Sequence, residues 1–229
     1  MKKMGLVGGL SWVSTMDYYK FINEGLNKRL GGLNFAECII YSINFADVQQ
    51  KTWVNSYELL LQACKSLKRS GADAIVLCAN TAHLFADELE QETGLPVIHI
   101  VTATAKAIKQ QGITKIGLLG TKFTMEMPFY KSKLEEMNIE VLVPDLQETR
   151  DYIQYTVKEE LGRGLIQPST KQKYISIIND LIKRGAKGIV LGCTEIPMLI
   201  SQEDFSIPVF DSTKIHSEAI VEYMLDTRC

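Results

Sequence analysis

Gly188-Ile189-Val190-Leu191-Gly192-Cys193-Thr194-Glu195-Ile196-Pro197 is a short apolar run that breaks off at a glycine, a cysteine and two polar residues. A run of this length bounded by turn residues reads as a strand buried on both faces of a parallel sheet. Its carboxyl end then carries Cys193, Thr194 and Glu195, and ligands of α/β sheets sit at that end.

The chain holds an earlier copy of this unit. Gly71-Ala72-Asp73-Ala74-Ile75-Val76-Leu77-Cys78-Ala79-Asn80 aligns without gaps on Gly185-Ala186-Lys187-Gly188-Ile189-Val190-Leu191-Gly192-Cys193-Thr194, which sets Ala79, not Cys78, opposite Cys193. Two more echoes keep nearly the same offset: Lys3-Met4-Gly5-Leu6-Val7-Gly8 with Lys115-Ile116-Gly117-Leu118-Leu119-Gly120, and Leu95-Pro96-Val97-Ile98 with Ile207-Pro208-Val209-Phe210. Three segments repeated in one order argue for two similar halves. We expect a first α/β domain from residues 1–101 with 211–229 returning to it, and a second from residues 102–210.

A chain of 229 residues can bury a core in each half. The net charge of -2 and 23% charged residues show no basic block for nucleic acid or an anionic membrane surface. No apolar run approaches the length of a membrane span, and Met1-Lys2-Lys3-Met4 leads straight into a strand, so a cytoplasmic protein is expected. The five cysteines, Cys38, Cys64, Cys78, Cys193 and Cys229, are odd in number and lack CxxC spacing. That argues against a disulfide framework and against a structural metal site.

In chain order, Lys3 to Val7 is the first strand and Gly8-Gly9-Leu10-Ser11-Trp12 a glycine turn that lets backbone approach a ligand. It matches neither GxGxxG nor GxxxxGK[ST]. Ser14-Thr15-Met16-Asp17 reads as a helix start, followed by Tyr18, Ile22, Leu26 and Leu30 at helical spacing and a stop at Gly31-Gly32. Strands are expected at Glu37–Ile43, before His83, at Pro96–Ile100, from Lys115, near Ile139–Val143, before Cys193 and at Pro208–Phe210, with helices between them. Cys64 falls on the apolar stripe of the helix 56–70, and Cys38 and Cys229 have no evident chemical task. The alternation predicts a mostly parallel, helix-covered α/β sheet in each half.

A cysteine where a strand gives way to a helix lies beside free amide groups that stabilise a thiolate. Cys193 is thus a candidate base or nucleophile, against the plainer reading of a small buried hydrophobe. Asn80, Thr81 and Thr194 offer donors for a carboxylate, or else cap the helices that follow.

Gly8-Gly9-Leu10-Ser11-Trp12, Asn80-Thr81-Ala82-His83 and Gly192-Cys193-Thr194-Glu195 together resemble the aspartate/glutamate racemase family, which includes hydantoin racemases. The resemblance covers essentially the whole chain. It implies two Rossmann-like domains with the active site between them, no cofactor, a small amino-acid substrate and frequently a homodimer. It further implies that one cysteine thiolate removes the α-proton while a second cysteine returns a proton on the opposite face. Two groups are needed because abstraction and delivery on opposite faces invert the centre, and donors around the carboxylate stabilise the carbanion-like state.

Carried onto this sequence, the second-half cysteine is Cys193 and the first-half cysteine falls on Ala79, which carries no proton. Cys78, His83 or a water are the alternatives for the second proton; Cys78 on an unbulged strand faces away from its neighbour's side. Substrate contacts are expected from Leu10, Ser11, Asn80, Thr81, Ala82, Thr194 and Glu195, with Lys51 or Arg163 reaching an acidic side chain. The sequence therefore predicts a cofactor-independent racemase or epimerase of aspartate, glutamate or a similar amino acid. Its alternatives are a single-cysteine decarboxylase or isomerase, resembling arylmalonate decarboxylases, and an amino-acid-binding relative without turnover.

Overall fold

The computed structural model describes residues 1–226, so Cys229 lies outside the described residues. The chain divides into two compact units, residues 1–100 together with the chain from Thr213 onward, and Val101–Ser212. The first contains β1 (Met4–Gly8), α1 (Trp12–Leu30), β2 (Cys38–Ser42), α2 (Phe45–Lys51), α3 (Tyr57–Arg69), β3 (Ala74–Leu77) and α4 (Ala86–Thr93). Helix α5 (Ile100–Gln110) leads into the second unit. There follow β4 (Lys115–Gly120), α6 (Lys122–Glu126), α7 (Pro128–Glu135), β5 (Glu140–Leu142), α8 (Gln147–Glu159), α9 (Pro168–Lys183), β6 (Ile189–Gly192) and β7 (Val209–Asp211). Helix α10 (Ser212–Leu225) takes the chain back to the first unit.

Both sheets are parallel, ordered β2-β1-β3 and β5-β4-β6-β7. The orders correspond, except that the expected strand at Pro96–Ile100 is reduced to one bridge from Val97 to Ile75. Its ladder closes with Pro96 O accepting from Ile75 N–H and Ile75 O accepting from Ile98 N–H, and at Ile100 the chain already enters α5. In the second unit Val209 to Asp211 pair with β6 over three residues before the corresponding helix begins.

Strand alternation sorts the first core. Met4, Leu6, Ala74, Val76 and Cys78 meet Tyr18, Ile22 and Leu26 of α1 and Ile220, Val221 and Met224 of α10. Val7, Ile75 and Leu77 project to the other face, onto Leu60, Cys64 and Leu67 of α3 and Leu89 of α4. In the second unit Leu119, Ile189, Leu191 and Cys193 pack with Ile153 and Val157 of α8 and Tyr174, Ile178 and Leu181 of α9. Each fully buried Leu or Ile contributes about 1.5–3 kcal/mol of transfer free energy, so both sheets are anchored on their helix-covered faces.

Helix α1 begins at Trp12, ahead of the start expected at Ser14 to Asp17. Ser11 is the N-cap, its Oγ accepting from Ser14 N–H at 3.3 Å, while Thr15 turns its hydroxyl back to Ser11 O at 2.8 Å. The turn before it needs glycine: Gly9 has φ +78, and a Cβ there would lie 2.1 Å from Ile43 O.

Candidate active site

Chemistry-bearing residues gather at the carboxyl ends of β3 and β6. Strand β6 ends at Gly192, where a Cβ would press on Thr124 and Leu118 at 3.0 Å, and the chain then turns through Cys193, Thr194 and Glu195. The Cys193 thiol donates to Glu195 Oε2 at 2.9 Å and the Thr194 hydroxyl donates to the same oxygen at 2.8 Å. The thiol is buried, while Thr194 and Glu195 are half-buried. Thr194 thus spends its hydroxyl on Glu195, and the short 3₁₀ turn that follows, Ile196–Met198, has no side-chain cap.

That turn changes the electrostatics expected of the site. Instead of a full helix with its dipole, three residues of 3₁₀ structure follow the cysteine. The amides of Glu195 and Thr194 do favour the thiolate, but burial and then the Glu195 carboxylate outweigh them and push the Cys193 thiol well above its usual range. The depressed thiol pKa expected from the sequence is corrected on this point: the resting group is a thiol.

At the end of β3, Cys78 and Ala79 part company. Cys78 is sealed in the core against α1 and α10, and burial raises its thiol far above the ordinary range. Ala79 is half-buried and packs on the opposite face, with Ile75 and Leu77. Asn80, Thr81, Ala82 and His83 follow as a buried 3₁₀ turn that the Asn80 side chain does not cap.

His83 Nδ1 bonds to Ala79 O at 3.0 Å. A carbonyl only accepts, so Nδ1 carries the hydrogen in neutral His83. The other two histidines of the chain surround this ring: His99 at 4.9 Å between centroids and His216 at 5.3 Å. His216 Nε2 donates to Ile98 O at 2.6 Å, which leaves Nδ1 to accept from the Tyr18 hydroxyl at 2.7 Å. Burial, then His83, hold His216 well below the usual imidazole pKa, against the Ile98 carbonyl, which favours the charged ring. His99 and His216 went unremarked in the sequence, and Tyr18 was read there only as part of the apolar stripe of α1; positions 18, 99 and 216 share no spacing. Among the described residues no set of three or more His, Cys, Asp or Glu is arranged to hold a metal ion.

The remaining expected contacts are dispersed within their own units. Leu10 is buried in the α3 side of the core, and Ser11 is occupied as the α1 cap. Lys51 is the exposed last residue of α2. Arg163 lies on a 3₁₀ turn paired with Glu159.

Residues 7–220 match the family model described as Asp/Glu/hydantoin racemase. The broad specificity amino-acid racemase RacX of Bacillus subtilis (strain 168) is 25% identical over 231 residues, spanning 97% of this chain and 98% of the relative. Among solved structures, a candidate Asp/Glu racemase from Yersinia pestis is 45% identical with a TM-score of 0.92, covering 99% of this chain and 100% of its own. An aspartate racemase homologue from Pyrococcus horikoshii OT3 is 38% identical with a TM-score of 0.87 at the same coverage. With the matching model spanning nearly the whole chain and both strand ends included in it, this protein belongs to the Asp/Glu/hydantoin racemase family.

Proposed function

We propose that the protein is a cofactor-independent amino-acid racemase acting on aspartate, glutamate or a similar amino acid, with Cys193 as the acid/base on one face of the α-carbon. The observation that carries this reading is the thiol at the end of β6, bonded to a carboxylate that also holds Thr194. In the proposed reaction one substrate meets both strand ends. Cys193 takes or gives the α-hydrogen, and Asn80 and Thr81 hold the carboxylate, with Ala82 and Leu10 bounding it. Donors at the carboxylate stabilise the carbanion-like state, and a positioned acid/base contributes about 10² to 10⁴ in rate.

For the second face we assign a water beside Ala79. Cys78 is enclosed in the core and His83 is engaged with the Ala79 carbonyl, which support water over either side chain. Ala79 also supports a second reading, a decarboxylase or isomerase that uses Cys193 alone. Loss of the α-hydrogen of L- and D-amino acids into deuterated water, followed together with chirality, tests the two.

The exposed apolar residues Trp12, Met16 and Tyr19 of α1, with Ile40 and Tyr41 of the edge strand β2, support a homodimer. The described cysteines are free thiols, and no described helix is long and apolar enough to cross a membrane. We place the protein in the cytoplasm, where thiols stay reduced.

A further inference from the structure

At the end of β3 the chain leaves its sheet with a carbonyl still to satisfy. The ladder to β1 closes at Leu77, with Cys78 N–H donating to Val7 O, and Ala79 O lies beyond it. His83, buried four residues on, returns its Nδ1–H to that oxygen at 3.0 Å. We propose that His83 is a positioning residue for the reaction: by holding the Ala79 carbonyl it sets the Asn80–Thr81 turn that takes the substrate carboxylate. The inference rests on the racemase reading above.

Peptide geometry makes the coupling direct. Ala79 O and Asn80 N–H belong to one planar trans unit and point in opposite directions, so fixing the oxygen fixes the amide and the direction in which residue 80 leaves the strand. Asn80 then takes helical angles, φ -57 and ψ -46, and its own carbonyl accepts from His83 N–H at 3.1 Å. Residue 83 therefore grips the turn twice, through its backbone at Asn80 and through its ring at Ala79.

The ring is itself held. His99 and His216 flank it, with centroids at 4.9 Å and 5.3 Å. Both nitrogens of His216 are engaged, one by the Tyr18 hydroxyl and the other by Ile98 O. Tyr18 comes from α1, His216 from α10 and Ile98 from the segment bridged to β3, all within the first unit. This frame restrains the ring plane and with it the direction of the Nδ1–H bond, as a site's supporting residues must. Nδ1 keeps its hydrogen throughout. No proton passes through the ring, and the water assigned to the second face is left in its role.

The test uses the full chain, with His83→Asn and His83→Gln. The asparagine amide nitrogen is bonded to Cγ, as Nδ1 is, while that of glutamine lies one bond further out, near the place of Nε2; neither side chain titrates. The proposal expects His83→Asn to keep kcat and KM for aspartate or glutamate close to the wild-type values. His83→Gln should lose about 100-fold in kcat/KM through a misplaced turn. Part of that loss should be a raised KM, because the carboxylate is held before as well as during the reaction. KM does not depend on how much of the chain is folded, so a loss confined to kcat overturns the proposal. Equal losses in the two variants overturn it as well. Deuterium uptake by a peptide spanning residues 78–83, read by mass spectrometry without substrate, reports the turn itself. Uptake should quicken in His83→Gln and stay slow in His83→Asn; unchanged uptake in His83→Gln is a third contradiction. Wild-type protein that turns over neither amino acid sinks the racemase reading and the positioning role with it. Quickened uptake in His83→Gln then locates the failure in the reaction and not in the grip on the turn.

Discussion

Cys193 Sγ and Glu195 Oε2 stand 2.9 Å apart at the end of β6, joined by a hydrogen bond in which the thiol donates. The bond explains how a cysteine in an apolar core stays a thiol at rest and still has an acceptor at hand. Changing Cys193 to Ala should lower α-proton exchange by about 10² to 10⁴ with the fold intact, since the residue is small and lies at a strand end. NMR in deuterated water measures it; exchange at the wild-type rate would remove Cys193 from the mechanism.

Ala79 lies on the same strand face as Ile75 and Leu77 and is half-buried, so a thiol placed there adds one sulfur atom without entering the α1 side of the core. Ala79→Cys is expected to raise racemisation at least about tenfold by replacing water with a positioned group. Cys78→Ala should leave the rate unchanged and reduce stability by about 1 kcal/mol through lost packing. Chiral chromatography of both reactions tests the pair; a gain lost with Cys78 instead would reverse the assignment.

Buried His216 titrates against folding. Facing it are the Tyr18 hydroxyl from α1, the His83 ring from the turn after β3 and the Ile98 carbonyl before α5. Its folded pKa is depressed, so the unfolded chain binds the proton first. The stability gained from the neutral ring is present above about pH 6.5 and is lost as pH falls below it. Tyr18→Phe should cost about 1–3 kcal/mol, the penalty for a buried acceptor left without its donor. Urea denaturation between pH 5 and pH 8 reads both effects, and a stability independent of pH across that window would contradict the buried neutral ring.

Cys64 on α3 gives the opposite sign. Burial pushes its thiol from 9.0 to about 12, so the unfolded chain loses the proton first. Stability is whole below pH 9 and falls as pH rises toward 12, at about 1.4 kcal/mol per pH unit for one proton. Cys64→Ala should lower stability at pH 8 by about 1 kcal/mol and flatten the alkaline decline, which thermal unfolding across pH would detect.

Trp12 is 69% exposed on α1, with Met16 and Tyr19 along one stripe. Trp12→Glu combined with Tyr19→Glu is expected to convert a dimer into monomers by light scattering. An unchanged mass would clear this face of the role.

Both sheets and the residues at their ends were legible because buried parallel strands leave continuous apolar runs, and because Ala74 to Leu77 and Ile189 to Gly192 repeat one pattern. The register that sets Ala79 opposite Cys193 was readable for the same reason. Tertiary context decided the rest. Ser11 caps α1 through a hydroxyl that reaches only three residues on, so the start looked later than it is. Pro96 to Ile98 has a strand's composition, yet the early onset of α5 leaves it a single bridge. The Cys193 pKa direction depended first on burial and then on a glutamate two residues away. The histidine group could not be read at all, since His83, His99 and His216 meet only once α10 has returned to the first unit.

Proton NMR of L- and D-aspartate and L- and D-glutamate with the protein in deuterated water, with chirality followed in the same samples, tests the central claim most directly. The account predicts loss of the α-hydrogen from both enantiomers of at least one of these amino acids, accompanied by inversion. Retention of every α-hydrogen, under conditions where Cys193 is labelled by iodoacetamide, would contradict it.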